Sequence, residues 1–351
     1  MTVASRVAQY MGEAGPALRT LALAGLLAVA ATALLFALAG ASVADGFAAL
    51  AAGAFGSEHA VLETLTRATP LVLTGLSVAV AFRARLWSIG AEGQLFAGAI
   101  AGYGVTVWLP GAPGWVLLPL TLVAGFAGGG AYGALAGLLK TRRGVDEVMS
   151  TVMLNYLIMF LLSWLLLNGP WSDPASAYEQ SPLVPEAATW PLLVAHSHLH
   201  IGALVALAAA LAVQIVMGRT SLGYDIRAFG LNRRAYAVKM GRPDRLVLLV
   251  MALSGGLAGL AGVGEVFGVH HRLLAGISPG FGYTGLIIAI LARFQPVGIV
   301  LGALLFGGLV SAAIKLQILT GIPSAASAVI QALLLFAVLV AGAVVRQRHV
   351  E

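Results

Sequence analysis

Apolar residues run along this chain in blocks close to twenty long, separated by short stretches where Arg, Lys, Pro and Gly gather. A block of that length suits a helix crossing a ~30 Å hydrocarbon core. The short alternating segments of a membrane barrel are absent. The pattern predicts helices at 21–41, 70–82, 91–108, 115–139, 147–167, 201–217, 246–267, 283–292, 297–315 and 326–345. The expectation is an all-α polytopic membrane protein of about ten spans. The second and eighth are short and are expected to be tilted, broken or shielded by other helices. Residues 42–69 are expected outside, with room for a short surface helix. The first twenty residues are amphipathic, carry Glu13, and lack a small-residue cleavage site behind a short apolar core, so they do not read as a cleaved signal.

An even number of spans puts both termini on one side. With that side cytoplasmic, 17 of the 20 Lys and Arg fall on inner segments, leaving only Arg67, Arg272 and Lys315 outside the pattern. Such an asymmetry is the positive-inside rule at work, and a wrong span count would scramble it. One transmembrane domain over 1–351 is expected. It has an inner N-terminal segment 1–20, a long outer loop 168–200 and a long basic inner loop 218–244.

Composition sharpens this picture. Residues of the AVILMFWYC set make up 60% of the chain and charged residues 10%, against roughly 25% in a soluble domain. With no Cys, disulfides, thiol catalysis and thiolate metal sites are excluded. The net charge of +6 is accounted for by basic inner loops facing membrane lipid, so no nucleic-acid partner is expected. A shift of 210 residues superposes Thr74-Gly75-Leu76 on Thr284-Gly285-Leu286, and Ala79, Arg83, Ile89, Leu95, Phe96 and Gly98 on identical residues. An internal repeat and compositional coincidence both explain this echo.

No nucleotide-binding G-x-x-x-x-G-K-[ST], H-E-x-x-H or G-x-S-x-G occurs. His196, His198 and His200 alternate in the outer loop, where such spacing is more often incidental than metal-binding. Polar groups inside spans carry more weight, because they are expensive there. Glu92 and Gln94 lie where span 3 begins, Asp146 and Glu147 open span 5, and Asn155 and Tyr156 lie two turns deeper. Glu92 and Glu147 read as caps or as fold-holding partners of Arg83, Arg85, Arg142 or Arg143. Asn155 reads equally as an interhelical hydrogen-bonding group or a lumen-lining one. Gln94, Asn155, Tyr156, Phe281 and Tyr283 are candidates for a substrate pathway, and Glu92, Glu147 and Arg83 for a structural or gating role. Every acid is expected near an interface, which argues against a gradient-driven carrier and for energy supplied by a partner.

Several segments together resemble the permeases of ABC importers for branched-chain amino acids, simple sugars and nucleosides. These are Ala81-Phe82-Arg83, Ser88-Ile89-Gly90-Ala91-Glu92-Gly93-Gln94, Asp146-Glu147-Val148, Met153-Leu154-Asn155-Tyr156, Gly169-Pro170 and Ser181-Pro182. Gly223-Tyr224, Arg227 to Asn232 and the glycine-rich run 254–262 belong with them. Similarity runs from about 60 to 340, and the I-G-A-E-G-Q and M-L-N-Y pieces resemble the nucleoside branch. The resemblance implies a second permease subunit, cytoplasmic ATPases, an outer substrate-binding lipoprotein and a bacterial inner membrane. It implies no cofactor, metal or catalytic residue in this chain. It also implies a coupling helix in the inner loop, carried by Gly230, Asn232, Ala235, Ala237 and Gly241, although paired alanines usual in the family are missing. Asn232 suits an N-cap and Gly241 a C-terminal cap. Simple sugars or branched-chain amino acids remain alternative cargo, and a membrane enzyme acting on lipid-linked substrate is the alternative from another class.

Overall fold

The structure, a computed structural model, describes residues 22–347. The expected segment 1–20 and the terminal Arg348 lie outside the described residues. The elements in order are α1 (Ala22–Leu38), α2 (Val43–Phe55), α3 (Glu58–Arg83), α4 (Ala91–Trp108), α5 (Gly114–Arg143), α6 (Glu147–Leu167) and α7 (Gly202–Arg219). There follow α8 (Ser221–Leu231), α9 (Arg233–Met240), α10 (Pro243–Gly264, continued by a π-helical stretch Glu265–His270), α11 (Phe281–Leu291), α12 (Pro296–Thr320) and α13 (Ala326–Gln347). No strand forms among the described residues beyond two isolated bridges.

Each expected span coincides with a helix, but their lengths differ from expectation. Six helices are long and apolar enough to cross a membrane, and the pair α1–α2, bent by 115°, makes up to seven among the described residues. α11 has only 11 residues, and α4 carries Glu92 and Gln94 within a glycine-rich stretch. The second span is corrected: it starts at Glu58 rather than near Pro70, giving a helix of 26 residues. Charges at Glu63 and Arg67 hid its first half, yet they pair at 2.8 Å one turn apart. Pro70 lies inside α3 and cannot donate to Thr66, but hydroxyls of Thr66, Thr69 and Thr74 back-bond to carbonyls one turn earlier at 2.9–3.0 Å. Such back-bonding and close neighbours let a membrane helix continue through proline.

The chain divides into two compact units. In the first, the described residues up to Val61 pack with those from Gly308 on. Phe36, wholly buried, lies over Gly46 and edge-on to Phe47 with centroids 5.5 Å apart. Ala49, Leu50 and Ala54 of α2 meet Ala312, Leu316, Ile322 and Ile330, so α2 is a packed helix and not a free surface one.

The second unit, Leu62–Gly307, is organised by glycine. Gly125, Gly129 and Gly133 recur every fourth residue along one face of α5, and Gly255 and Gly259 do so on α10. A Cβ on Gly129 would stand 2.8 Å from the Gly259 Cα and closer still to the Gly255 carbonyl. Gly98 of α4 abuts the backbone of Gly259, and Gly262 abuts Leu95 and Ala99. Three helices therefore meet backbone to backbone, the packing that small residues permit between membrane helices. α3 is buried through 89% of its most apolar window.

The 210-residue echo has a structural counterpart. Gly75 and Gly285 face each other where α3 crosses α11, and the Thr74 hydroxyl donates to the Phe281 carbonyl at 3.0 Å. A Cβ on Gly53 would stand 2.7 Å from the Ala312 Cα, while one on Gly102 would stand 3.0 Å from Val263. A shift of 210 carries each member of one pair onto a member of the other, with the roles exchanged. Equivalent contacts thus recur at positions 210 residues apart.

Gly129→Leu is expected to lower the thermal unfolding midpoint in detergent by ~5 °C or more, since overpacking costs roughly 1–3 kcal/mol. Gly218→Ala, with nothing within 4 Å of its Cβ, should leave it unchanged.

Candidate functional site

Between α3 and α4 the chain leaves the helix. Residues 84–90 form a non-helical strap that opens with a turn at 84–85, and its backbone groups need partners wherever water is excluded. α6 supplies them from one face at i, i+4 and i+8. The Glu147 carboxylate accepts from Trp87 N–H at 3.3 Å, and the Thr151 hydroxyl from Ile89 N–H at 3.1 Å. Asn155 closes the row. Its Oδ1 accepts from Gly93 N–H at 2.9 Å and its Nδ2 donates to the Ile89 carbonyl at 2.9 Å. Asp146 fixes the start of α6 by accepting from Val148 and Met149 N–H at 2.9 and 3.1 Å, and Lys140 pairs with Glu147.

The strap delivers Glu92 to an unexpected depth. Three helices serve as rulers from the basic end of the bundle. Gly93 meets Asn155, ~12 Å along α6 from Glu147 at 1.5 Å per residue. The Gln94 amide lies 3.2 Å from the Cβ position of Gly133, ~15 Å along α5 from Arg143. Gly282, bonded to Glu92, lies ~14 Å along α11 from Leu291. All three place this carboxylate more than two helical turns inside the bundle from those helix ends, because the strap runs into the bundle before α4 begins.

From the opposite end, residues 271–280 lead down to the N-terminus of the short α11. The Ser278 hydroxyl accepts from Gly280 and Phe281 N–H at 3.2 and 3.0 Å, and Glu92 accepts from Gly282 N–H at 2.6 Å. A buried carboxylate at a helix N-terminus is compensated by free N–H groups and the helix dipole. Beside this junction the Asn155 Nδ2 lies 3.4 Å from the Tyr283 hydroxyl. Tyr283 and Tyr156 are 40% and 51% exposed, whereas Phe281 and Gln94 are buried. The Gln94 Oε1 has no hydrogen-bond partner among the described residues, and Gln94 packs beside Tyr132, Ala136, Thr151 and Asn155.

At the basic end Arg83 donates to the Phe294 carbonyl and to Gln295, each at 3.1 Å. α9 forms between the two caps expected of it. The Asn232 side chain accepts from Ala235 N–H at 3.0 Å, and Gly241 has φ +69°. Ala235 is exposed and Ala237 half-buried, but Gly230 faces inward, its Cβ position against the Arg83 carbonyl. Sequence reasoning passed over Leu231 and Val238, 76% and 90% exposed at this end. Their apolar side chains in a polar segment were the available signal. Thr151 was also missed, although its spacing from Glu147 and Asn155 was readable.

The outer loop is ordered by its neighbours. Ser181, Val184 and Trp190 N–H groups bond to the carbonyls of Leu273, His271 and Phe267 at 2.9 Å each. Of the three alternating histidines, His200 is buried, packed edge-on to Trp190, with its Nδ1 accepting from Gly202 N–H at 3.0 Å. Trp108 and Trp115, 81% and 80% exposed, flank the α4–α5 turn as interfacial tryptophans do.

Buried polar groups inside an apolar bundle, beside an irregular segment and a short helix, suit a membrane conduit. Residues 60–339 match the family described as branched-chain amino acid transport system / permease component, and the chain belongs to it. It is an ABC transporter permease, a multi-pass membrane protein that transports and does not catalyse. Among its relatives, the guanosine ABC transporter permease NupP of Bacillus subtilis is 35% identical, over 85% of this chain and 86% of its own. The glucose ABC transporter permease TsgB13 of Haloferax volcanii is 34% identical, over 80% and 76%. The nucleoside ABC transporter permease NupB of Lactococcus lactis is 32% identical, over 74% of each chain. The same three organisms each supply a second, more distant permease at 23–27% identity. No solved structure matches the chain.

Burial, reinforced by the nearby His271, pushes the His200 imidazole down to about 4 from its ordinary 6.5. A lowered value means that the undocked loop takes up the proton first. Loop docking is therefore full above pH 6.5 and is lost as the pH falls toward 4. Hydrogen exchange in 184–200, corrected for intrinsic rate, should rise over that window and lose this dependence in His200→Asn.

Proposed function

We propose that this chain is the nucleoside-conducting permease of a bacterial ABC importer in the inner membrane. It crosses the membrane about ten times as a single permease domain, with both termini cytoplasmic. A substrate-binding lipoprotein delivers cargo at the outer loop 168–200, and an ATPase docks on α8 and α9. A second, diverged permease subunit completes the conduit. The recurrence of two unequal relatives in each of three organisms supports a heterodimer over two copies of this chain.

The observation that carries the nucleoside reading is the pair Tyr156 and Tyr283. Both are partly exposed beside Asn155, where phenols facing hydrocarbon would lose hydrogen bonds. Facing a lumen, flat rings accept a planar base, and their hydroxyls meet its edges and the sugar. Gln94 and Phe281 support this surface from behind. Glu92, Glu147 and Arg83 hold the strap and helix ends around it. The names of NupP and NupB agree with this cargo. A simple sugar is the second reading, favoured by TsgB13.

At the docking end, Ala235 and Ala237 leave room for a groove on the ATPase, and Leu231 and Val238 supply apolar anchors. Exposed pairs such as Arg233–Asp244, 3.6 Å apart, contribute little.

In proteoliposomes holding both permeases, the ATPase and the lipoprotein, ATP-dependent uptake of labelled guanosine is expected and should not be displaced by excess glucose. Tyr283→Ala should slow it about tenfold, near the worth of one stacked aromatic contact. Displacement by glucose and not by nucleosides would favour the sugar reading. No uptake of either would overturn both.

Ala235→Asp should abolish uptake while the assembled complex keeps its basal ATPase rate; normal uptake would remove α9 from coupling. For topology, the absence of native Cys permits single-cysteine labelling. Tyr178→Cys should react with impermeant reagent in intact cells and Val238→Cys should not. The reverse result would invert the orientation.

A further inference from the structure

Two irregular segments enter the bundle from opposite ends, and they meet at Glu92. From the basic end, Gly230 of α8 abuts the Arg83 carbonyl, and a Cβ on it would stand 3.3 Å from the Ala84 carbonyl carbon, where the strap begins. The strap runs along Glu147, Thr151 and Asn155 and ends at Glu92. From the other end, the loop 168–200 is bonded to 267–275 through Trp190, Val184, Ser181 and Ala275 N–H. That segment continues to Ser278 and the N-terminus of α11. There Gly282 N–H donates to Glu92, and a Cβ on Gly282 would lie 2.6 Å from the Glu92 Cα. The Ser278 hydroxyl and Gly280 N–H also reach toward this carboxylate. Two segments with few internal hydrogen bonds are thus tied by one side chain.

We propose that Glu92 is the positioning residue that couples the outer loop to the inner docking segment. Its hold on the α11 N-terminus lets a change at loop 168–200 shift the strap, and so Gly230 and α8. The same movement carries Tyr283, one residue beyond Gly282, relative to Asn155. This rests on the reading above that the lipoprotein and the ATPase dock at those two surfaces. The acceptor oxygen, rather than side-chain volume, is the required property.

The full assembly in proteoliposomes tests this through the ratio of ATPase rates with and without loaded lipoprotein. Glu92→Ala should reduce that stimulation about tenfold, within the usual range of coupling between sites. Basal rate and lipoprotein affinity should stay within about twofold. Glu92→Gln, which keeps an acceptor for Gly282 N–H, should retain stimulation within about threefold. Wild-type stimulation in an assembled Glu92→Ala complex would overturn the proposal. So would a Glu92→Gln as defective as Glu92→Ala. If Glu92→Ala does not assemble, Glu92→Asp, whose shorter arm withdraws the carboxylate from α11, carries the same expectation, and full stimulation there overturns it. A wild-type assembly that ignores loaded lipoprotein would instead refute the docking reading itself.

Discussion

The second unit depends on three helices that touch backbone to backbone. Within lipid, one apolar side chain gains little by leaving the tails for another, so association rests on close van der Waals approach and on hydrogen bonds. Gly129 against Gly255 and Gly259, with Gly98 pressed on the same point of α10, gives that approach to α4, α5 and α10. Any Cβ at these points would push the helices apart. The contact also has a positional effect. It fixes where α4 begins, so that its first turn lies inside the bundle.

That placement creates the segment on which function turns. With α4 starting deep, the chain must climb from Arg83 to Ala91 without a helix. Unpaired N–H and C=O groups in a water-poor region cost several kcal/mol each. α6 meets them with a column of three polar side chains, and α11 with the N–H groups of its first turn. A carboxylate and a helix N-terminus satisfy each other there. The irregular backbone is tolerated because every segment of it is held by a neighbour, and it forms the polar patch in an otherwise apolar bundle.

The chemistry of this patch suits passage rather than reaction. Asn155 is spent on the strap, leaving Tyr283 and Tyr156 as the exposed polar groups beside it. A few aromatic and amide contacts bind a polar solute weakly enough to release it. Glu92 is buried behind them and bonded to backbone, which makes it a fixture and not a carrier of ions. Apolar residues stand exposed on capped helices at the basic end, the surface proposed for the ATPase.

The sequence alone determined the helical class, the position of most spans, the basic end and the caps of α9. These follow from local rules: run length, charge placement, and the habits of Asn and Gly at helix ends. It singled out Glu92, Asn155 and the tyrosines as candidates, since polar residues in apolar runs stand out on their own. Only the tertiary structure decided how buried they are and whom they meet. Glu92 opens a helix in the sequence, and its burial depends on α4 being held by glycines more than thirty residues away on α5 and far beyond on α10. The continuity of α3 through Pro70 depends on packing around it, not on the propensity of its residues. Asn155, open between two roles in sequence, was assigned by a strap whose unpaired backbone had no other partner. Local signals report what a residue prefers, whereas depth, burial and partnership are set by contacts between segments distant in the chain.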